Sequence, residues 1–180
     1  MSTRIALLRG VNVGGRNRVA MAALRGMLAT LGFAGARTLL QSGNVLFAGD
    51  GRTDAGLERL LEAETMRRLK VRVDWFVRTP REWTTIVARN PFPGEAERDP
   101  RHLLVVFLKK PPAAGDVRAL QAATRGPERI RAAGRQLYIV YPEGIGRSKL
   151  TATLIEHRLD TRGTARNWNT VLKLQALARD

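Results

Sequence analysis

The chain has 180 residues, 44% of them hydrophobic, with 31 Lys and Arg against 16 Asp and Glu, a formal charge of +15 and no cysteine; this length builds one ordinary domain or two small ones, each with a core. The lack of Cys excludes disulfides, thiolate metal sites and thiol nucleophiles, and with His102 and His157 as the only imidazoles neither a metal centre nor a cofactor is expected. No long apolar run, signal peptide or transit pattern is visible, so a cytoplasmic protein without membrane association is expected.

In chain order, residues 5–8 (Ile-Ala-Leu-Leu) are apolar on both faces and predict a central strand. Met21, Leu24, Leu28 and Leu31 recur at helical spacing and stop at Gly32, with no capping side chain just before Met21. Residues 37–40 and 45–47 predict short strands joined by the hairpin turn Gln41-Ser-Gly-Asn44. Thr53 or Asp54 caps a second helix carrying Leu57, Leu60, Leu61 and Leu69. After it Val71, Val73, Trp75 and Val77 alternate with Arg72, Asp74, Phe76 and Arg78, the period of a half-buried strand. The order to residue 78 is βαββαβ.

A second pass follows. A short helix over residues 83–88 and a Pro- and Gly-bearing connector over 90–101 lead to an apolar strand over 103–108. Next come a helix with Val117 and Leu120, then strands over 129–132 and 137–141 across a Gly134 turn. A helix with Leu150, Leu154, Ile155 and Leu159 precedes a weak strand over 163–166, and a last helix carries Trp168, Val171, Leu172 and Leu177. The expected architecture is therefore α+β: two tandem ferredoxin-like (βαββαβ) subdomains over residues 1–78 and 103–180, the second with a C-terminal helix, linked by a helix and connector over 79–102. The repeat is one of element order, not of residues.

Two stretches carry the chemistry. The first, Arg9-Gly-Val-Asn-Val-Gly-Gly-Arg-Asn-Arg18, has no carboxylate; the second is Gly144-Ile-Gly-Arg-Ser-Lys149, with Arg166-Asn-Trp-Asn-Thr170 following it. Glycines let backbone N–H groups approach a ligand, and Arg, Lys, Asn and Ser side chains surround them, which is the chemistry of an anion site. In a split βαβ unit the loop after the first strand lies beside the turn between strands two and three, so residues 10–18 should adjoin residues 41–44. The same topology places residues 144–149 beside residues 166–169. The two patches are expected to face each other across the interface of the subdomains, as a basic, Gly- and Asn-rich cleft.

These motifs also carry a resemblance. Residues 5–15 (Ile-Ala-Leu-Leu-Arg-Gly-Val-Asn-Val-Gly-Gly), Gln41-Ser-Gly-Asn-Val45, Asn90-Pro-Phe92, Gly146-Arg-Ser-Lys-Leu150 and Arg166-Asn-Trp-Asn-Thr-Val-Leu-Lys-Leu174, in this order, closely resemble the bacterial domain-of-unknown-function family numbered 1697. The resemblance runs along nearly the whole chain. It implies a cytoplasmic α+β protein of two subdomains and brings no established activity. One departure is Thr164-Ala165, where the pattern often reads Thr-Thr, so a hydroxyl contact there would be missing.

Each motif has a plain structural reading beside the functional one. Arg9, Asn12, Gly14, Gly15, Arg16, Asn17 and Arg18 either wrap a phosphate or carboxylate, with Arg16 and Arg18 supplying charge, or form a surface loop whose glycines serve its own turns. The loop matches neither G-x-x-x-x-G-K-[ST] nor G-x-G-x-x-G. Gly146, Arg147, Ser148 and Lys149 read as a helix N-terminal anion site with Ser148 as the cap, or as an ordinary cap with solvated charges. Trp168 either stacks on a base or sugar or belongs to the core, with Asn167 and Asn169 flanking it as caps or ligand contacts and Arg166 as a ligand group. Gln41, Ser42 and Asn44 are turn chemistry or ligand groups. No base adjoins Ser42 or Ser148, and Glu143 is the only carboxylate next to a patch, so nucleophilic and paired-carboxylate catalysis have no support.

Residues 1–78 hold 13 basic and 6 acidic side chains, residues 79–180 hold 18 and 10, and no basic tail stands out. The excess charge either attracts polyanions or reflects an Arg- and Ala-rich composition. RRM-like RNA binding fails at the residues, since the central strands offer only Phe47. The expected function is binding of a phosphorylated or other anionic ligand, which includes a nucleotide or nucleic-acid backbone. The alternatives are an enzyme that acts on a phosphorylated small molecule by electrostatic positioning, and a protein-interaction module.

Overall fold

The first apolar run becomes the C-terminal half of β1 (Ser2–Leu8). The computed structural model describes residues 2–179. After β1 come α1 (Met21–Thr30), β2 (Arg37–Leu39), β3 (Asn44–Gly49), α2 (Asp54–Glu64) with a π-helical turn (Thr65–Leu69), and β4 (Trp75–Arg78). The strands form one sheet in the order β2-β3-β1-β4, every neighbouring pair antiparallel. Alternation puts Ala6, Leu8, Val45, Phe47, Trp75 and Val77 on one face, where they pack with Leu24, Met27 and Leu28 of α1 and Leu57 and Leu61 of α2. As the sequence implies, no side chain caps α1, whereas Thr53 caps α2 by accepting a hydrogen bond from the Gly56 N–H at 3.2 Å.

The alternation over residues 71–78 misleads. Only Trp75–Arg78 is a strand, and all four side chains are buried, including Phe76 and Arg78, which a half-buried strand would turn to solvent. The physical reason lies at the end of α2. Thr65 donates its hydroxyl to the Leu61 carbonyl at 2.6 Å and accepts from the Trp75 indole at 3.0 Å, and the π-turn ends in Lys70 at φ 58°. Residues 71–74 lead the chain back from that turn, and pairing begins at Trp75↔Leu8.

The second sheet is built from β5 (Leu103–Leu108), β6 (Arg129–Ala133), β7 (Gln136–Val140) and β8 (Gly163–Asn167), in the order β6-β7-β5-β8 and again wholly antiparallel. Helices α3 (Pro80–Ala88) and α4 (Pro93–Arg98) precede it, α5 (Ala114–Ala123) and α6 (Ala152–Leu159) lie between its strands, and α7 (Trp168–Leu177) follows. Helix α4 occupies what the sequence presents as a connector. Its Pro93 stands at the first helical position, where a missing N–H costs nothing, so here Pro starts structure rather than breaking it. Leu104, Val106 and Leu108 of β5, Leu137 and Ile139 of β7, Val117 and Leu120 of α5, and Ile155 and Leu159 of α6 share one core. The weak strand forms because Gly163 lies tight on β5: a Cβ there would meet Val106 Cγ1 at 2.9 Å and Leu108 Cδ2 at 3.0 Å.

The protein is thus a mixed α/β chain with two four-stranded antiparallel sheets and seven α-helices among the described residues. It divides into two units, Met1–Thr84 with Leu174–Asp180, and Thr85–Lys173. One position answers between them. Arg78 is the fourth residue of β4 and pairs with Ile5, three before the end of β1; Arg166 is the fourth residue of β8 and pairs with Val105, three before the end of β5. Both are buried.

Candidate functional site

In the first unit the loop after β1 does lie beside the hairpin turn. Asn12 donates its amide to the carbonyls of Gln41 at 2.7 Å and Val19 at 2.9 Å, and its Oδ1 accepts from the Val19 N–H at 2.9 Å. Leu8 N–H reaches the Gly43 carbonyl at 2.8 Å. Within the loop, Val13 and Arg16 bridge across Gly14 and Gly15, whose φ values of 59° and 75° are those a type I′ turn requires. Asn17 donates to the Gly10 carbonyl at 3.4 Å, and Asn44 to the Leu39 carbonyl at 2.8 Å and the Ser42 hydroxyl at 3.0 Å.

The loop's glycines and asparagines therefore serve its own closure. Arg16 and Arg18 are exposed, and Arg18 lines a shallow depression with Asn12, Gly15 and Gln41. Arg9 stands 3.8 Å from Asp74, a carboxylate that its position 65 residues downstream hides from the sequence.

In the second unit the cap assignment is corrected. The helix does not begin at Ser148: α6 starts at Ala152, and Thr151 caps it by accepting from the Leu154 N–H at 3.2 Å. Residues 145–147 form a single 3-10 turn, and Ser148 follows it in extended conformation. Thr151 wins because it directly precedes the apolar run that packs the helix, whereas Leu150 is still needed as a buried anchor. Arg147 and Lys149 therefore precede the helix rather than belonging to its first turn.

What surrounds those cations is a cavity of about 330 Å³. It is lined by the C-terminal end of α5 and the turn after it, which supply Arg125, Gly126 and Glu128, and by Glu143, Arg147, Ser148, Lys149 and Leu150. Glu128 is buried, and Ser148 donates its hydroxyl to Glu128 Oε1 while accepting from the Leu150 N–H at 3.0 Å. Gly126 makes room for this carboxylate, since a Cβ there would fall 2.1 Å from Glu128 Oε2. Tyr141 donates to the Leu150 carbonyl at 3.0 Å; burial, then the Glu128 charge, push its phenol pKa upward. Among the described residues the side chains of Arg125, Arg147 and Lys149 join no ion pair.

Val140 and Asn167 do sit opposite Leu103 and Leu104, so β7 and β8 end at the same edge of the sheet, but residues 166–169 do not line the cavity. Arg166 is buried, donates to Thr164 Oγ1 and the Ala165 carbonyl, both at 2.8 Å, and has its pKa pulled down to about 10 by burial. Asn167 accepts from the Thr170 N–H at 3.0 Å and so caps α7, and Trp168 is buried. The segment that lines the cavity with Arg147 and Lys149 is residues 123–128. Glu128, Arg125 and Gly126 went unread because a Gly-Pro turn before a strand looks like punctuation; only the pairing Arg129↔Val140 brings it next to Glu143.

His102 meets Asp99 at 2.7 Å and His157 is exposed on α6, neither lining this cavity. Among the described residues no group of three or more His, Cys, Asp or Glu could hold a metal ion, and no helix is long and apolar enough to cross a membrane.

Comparison with known proteins agrees with this fold. The family model described as "Protein of unknown function (DUF1697)" matches residues 1–138, which include the loop 10–18 and the turn 125–128 and stop short of Glu143. A solved structure, conserved bacterial protein SP0830 from Streptococcus pneumoniae, is similar over 98% of this chain and 98% of its own, with a TM-score of 0.76 and 21% identity. At that identity the likeness speaks for the fold alone. No curated protein matches the chain.

Proposed function

The chain belongs to the DUF1697 family of proteins of unknown function, and from that premise we propose that it binds a phosphorylated or otherwise anionic ligand in the cavity of its second unit. One observation carries the reading: Arg125, Arg147 and Lys149 converge on one cavity and join no ion pair among the described residues. The three cations outnumber Glu128 and Glu143 in that lining, and the positive charge left over is relieved by a bound anion. We also read each unit as ferredoxin-like, supported by the element order βαββαβ and the antiparallel strand order β2-β3-β1-β4.

Thermal unfolding with and without inorganic phosphate tests the proposal. Wild type is expected to gain melting temperature as phosphate rises. Arg147→Ala and Lys149→Ala should be as stable as wild type, or more so, in its absence and should respond less. If phosphate leaves wild type unmoved while each substitution costs more than about 1 kcal/mol, the cations are structural and the reading fails.

A second reading is favoured by one contact. The Ser148 hydroxyl hydrogen-bonded to the Glu128 carboxylate sets a proton acceptor beside a hydroxyl, which supports an enzyme acting on a phosphorylated small molecule. Incubation with a metabolite pool, followed by mass spectrometry, separates the two, because a binder depletes nothing.

A further inference from the structure

Resting on the anion-binding reading of the same cavity, we propose that its ligand is a zwitterion, a small molecule with an ammonium group beside its phosphate or carboxylate. The cations of the cavity are not alone. Arg125, Arg147 and Lys149 share the lining with Glu128 and Glu143, so two of three positive charges are offset within the same space. A polyanion such as a nucleic-acid backbone would meet both carboxylates, which like-charge repulsion disfavours.

The state of Glu128 carries the argument further. Its residue is only 8% exposed, yet the carboxylate lines the cavity. Its one hydrogen-bond donor among the described residues is the uncharged Ser148 hydroxyl, and no Arg or Lys pairs with it although three stand around the same cavity. One neutral hydroxyl is less than a carboxylate can accept, and Oε2 has no donor among the described residues. The arrangement is also built. Gly126 leaves the space in which Oε2 stands, and Ser148 holds Oε1. Cations that stay apart from a buried carboxylate in one small cavity suit a ligand that carries both signs, its anion toward Arg147 and Lys149 and its ammonium toward Glu128.

The size limits the class. A cavity of about 330 Å³ is of a size to hold an amino acid, an aminoalkyl phosphate or an amino-sugar phosphate.

Two probes that differ in one group test this by calorimetry on the full chain: 2-aminoethyl phosphate and 2-hydroxyethyl phosphate, with inorganic phosphate as reference. Wild type should bind the amine at least tenfold more tightly than the alcohol. Glu128→Gln should abolish that preference while keeping the response to inorganic phosphate. Gly126→Ala provides the same readout without touching the carboxylate chemically, because its Cβ displaces only the far end of the Glu128 side chain, and it too should lose the preference.

Equal binding of the two probes, or tighter binding of the alcohol, overturns the zwitterion while the phosphate response leaves anion binding standing. A preference that survives in both variants overturns Glu128 as the ammonium acceptor. Failure of all three ligands to bind removes the anion reading, and this inference with it.

Discussion

The loop over residues 10–18 and the cavity around Arg147 present the same residue types and use them in opposite ways. In the loop, Asn12 has both amide atoms committed to the chain, Gly14 and Gly15 form a turn, and Arg16 and Arg18 project to solvent. In the cavity, two segments some 20 residues apart bring three cations and two carboxylates around one space, and of these charged residues only Glu128 is buried. Glycine and asparagine richness here reports backbone geometry, whereas the cavity forms where distant segments converge.

Substitutions can break that contrast, and the largest effect is expected at Gly43. It lies at φ 78°, and a Cβ there would stand 2.6 Å from Val11 Cγ2 and 2.8 Å from Leu8 Cβ. Gly43→Ala should therefore cost about 3 kcal/mol or more in urea unfolding, from overpacking added to backbone strain. A loss under 1 kcal/mol would mean that the loop and the hairpin turn are not locked together.

Asn12→Ala comes next. It removes three hydrogen bonds and leaves a non-Gly residue at φ 55°, so a loss of about 2 kcal/mol is expected by the same measurement. If stability is unchanged and phosphate response falls instead, Asn12 is a ligand group and the contrast between the two regions collapses.

The third comparison is between Thr151 and Ser148. Thr151→Ala should cost about 1 kcal/mol as the loss of the α6 cap. Ser148→Ala should change the response to 2-aminoethyl phosphate more than the Thr151 substitution does, since it frees Glu128 Oε1. The reverse ranking in ligand response would return Ser148 to the role of a plain structural residue.

The smallest effects belong to Arg16→Ala and Arg18→Ala. Both side chains are exposed and join no ion pair among the described residues, so melting should shift by no more than about 0.5 kcal/mol equivalent. Phosphate stabilisation should persist in the double variant. Its loss would move the anion site from the second unit to the first.

Much of the fold was legible in the residues because periodicity and caps act over a few positions. The apolar run 103–108, the spacing Met21, Leu24, Leu28 and the Thr53 cap each state a local preference that the structure keeps. The departures sit where a distant partner intervenes. Phe76 and Arg78 are buried although their alternation places them outward, and α4 forms in a stretch whose Pro and Gly suggest a link. Ser148 had the residue type of a cap but not the position, because the buried Leu150 delays the start of α6.

By itself, then, the sequence determined the order of the strands, their two groups of four and the basic, cysteine-free character of the chain, since each depends on neighbouring residues or on composition. Tertiary structure alone decided which charges meet. Arg147 and Lys149 share a cavity with Glu128 and Arg125 only through the pairing of β6 with β7, and Gly126 is constrained only because that carboxylate folds back over it. Charge and space at a site are sums over groups brought together by folding, and no local pattern encodes such a sum.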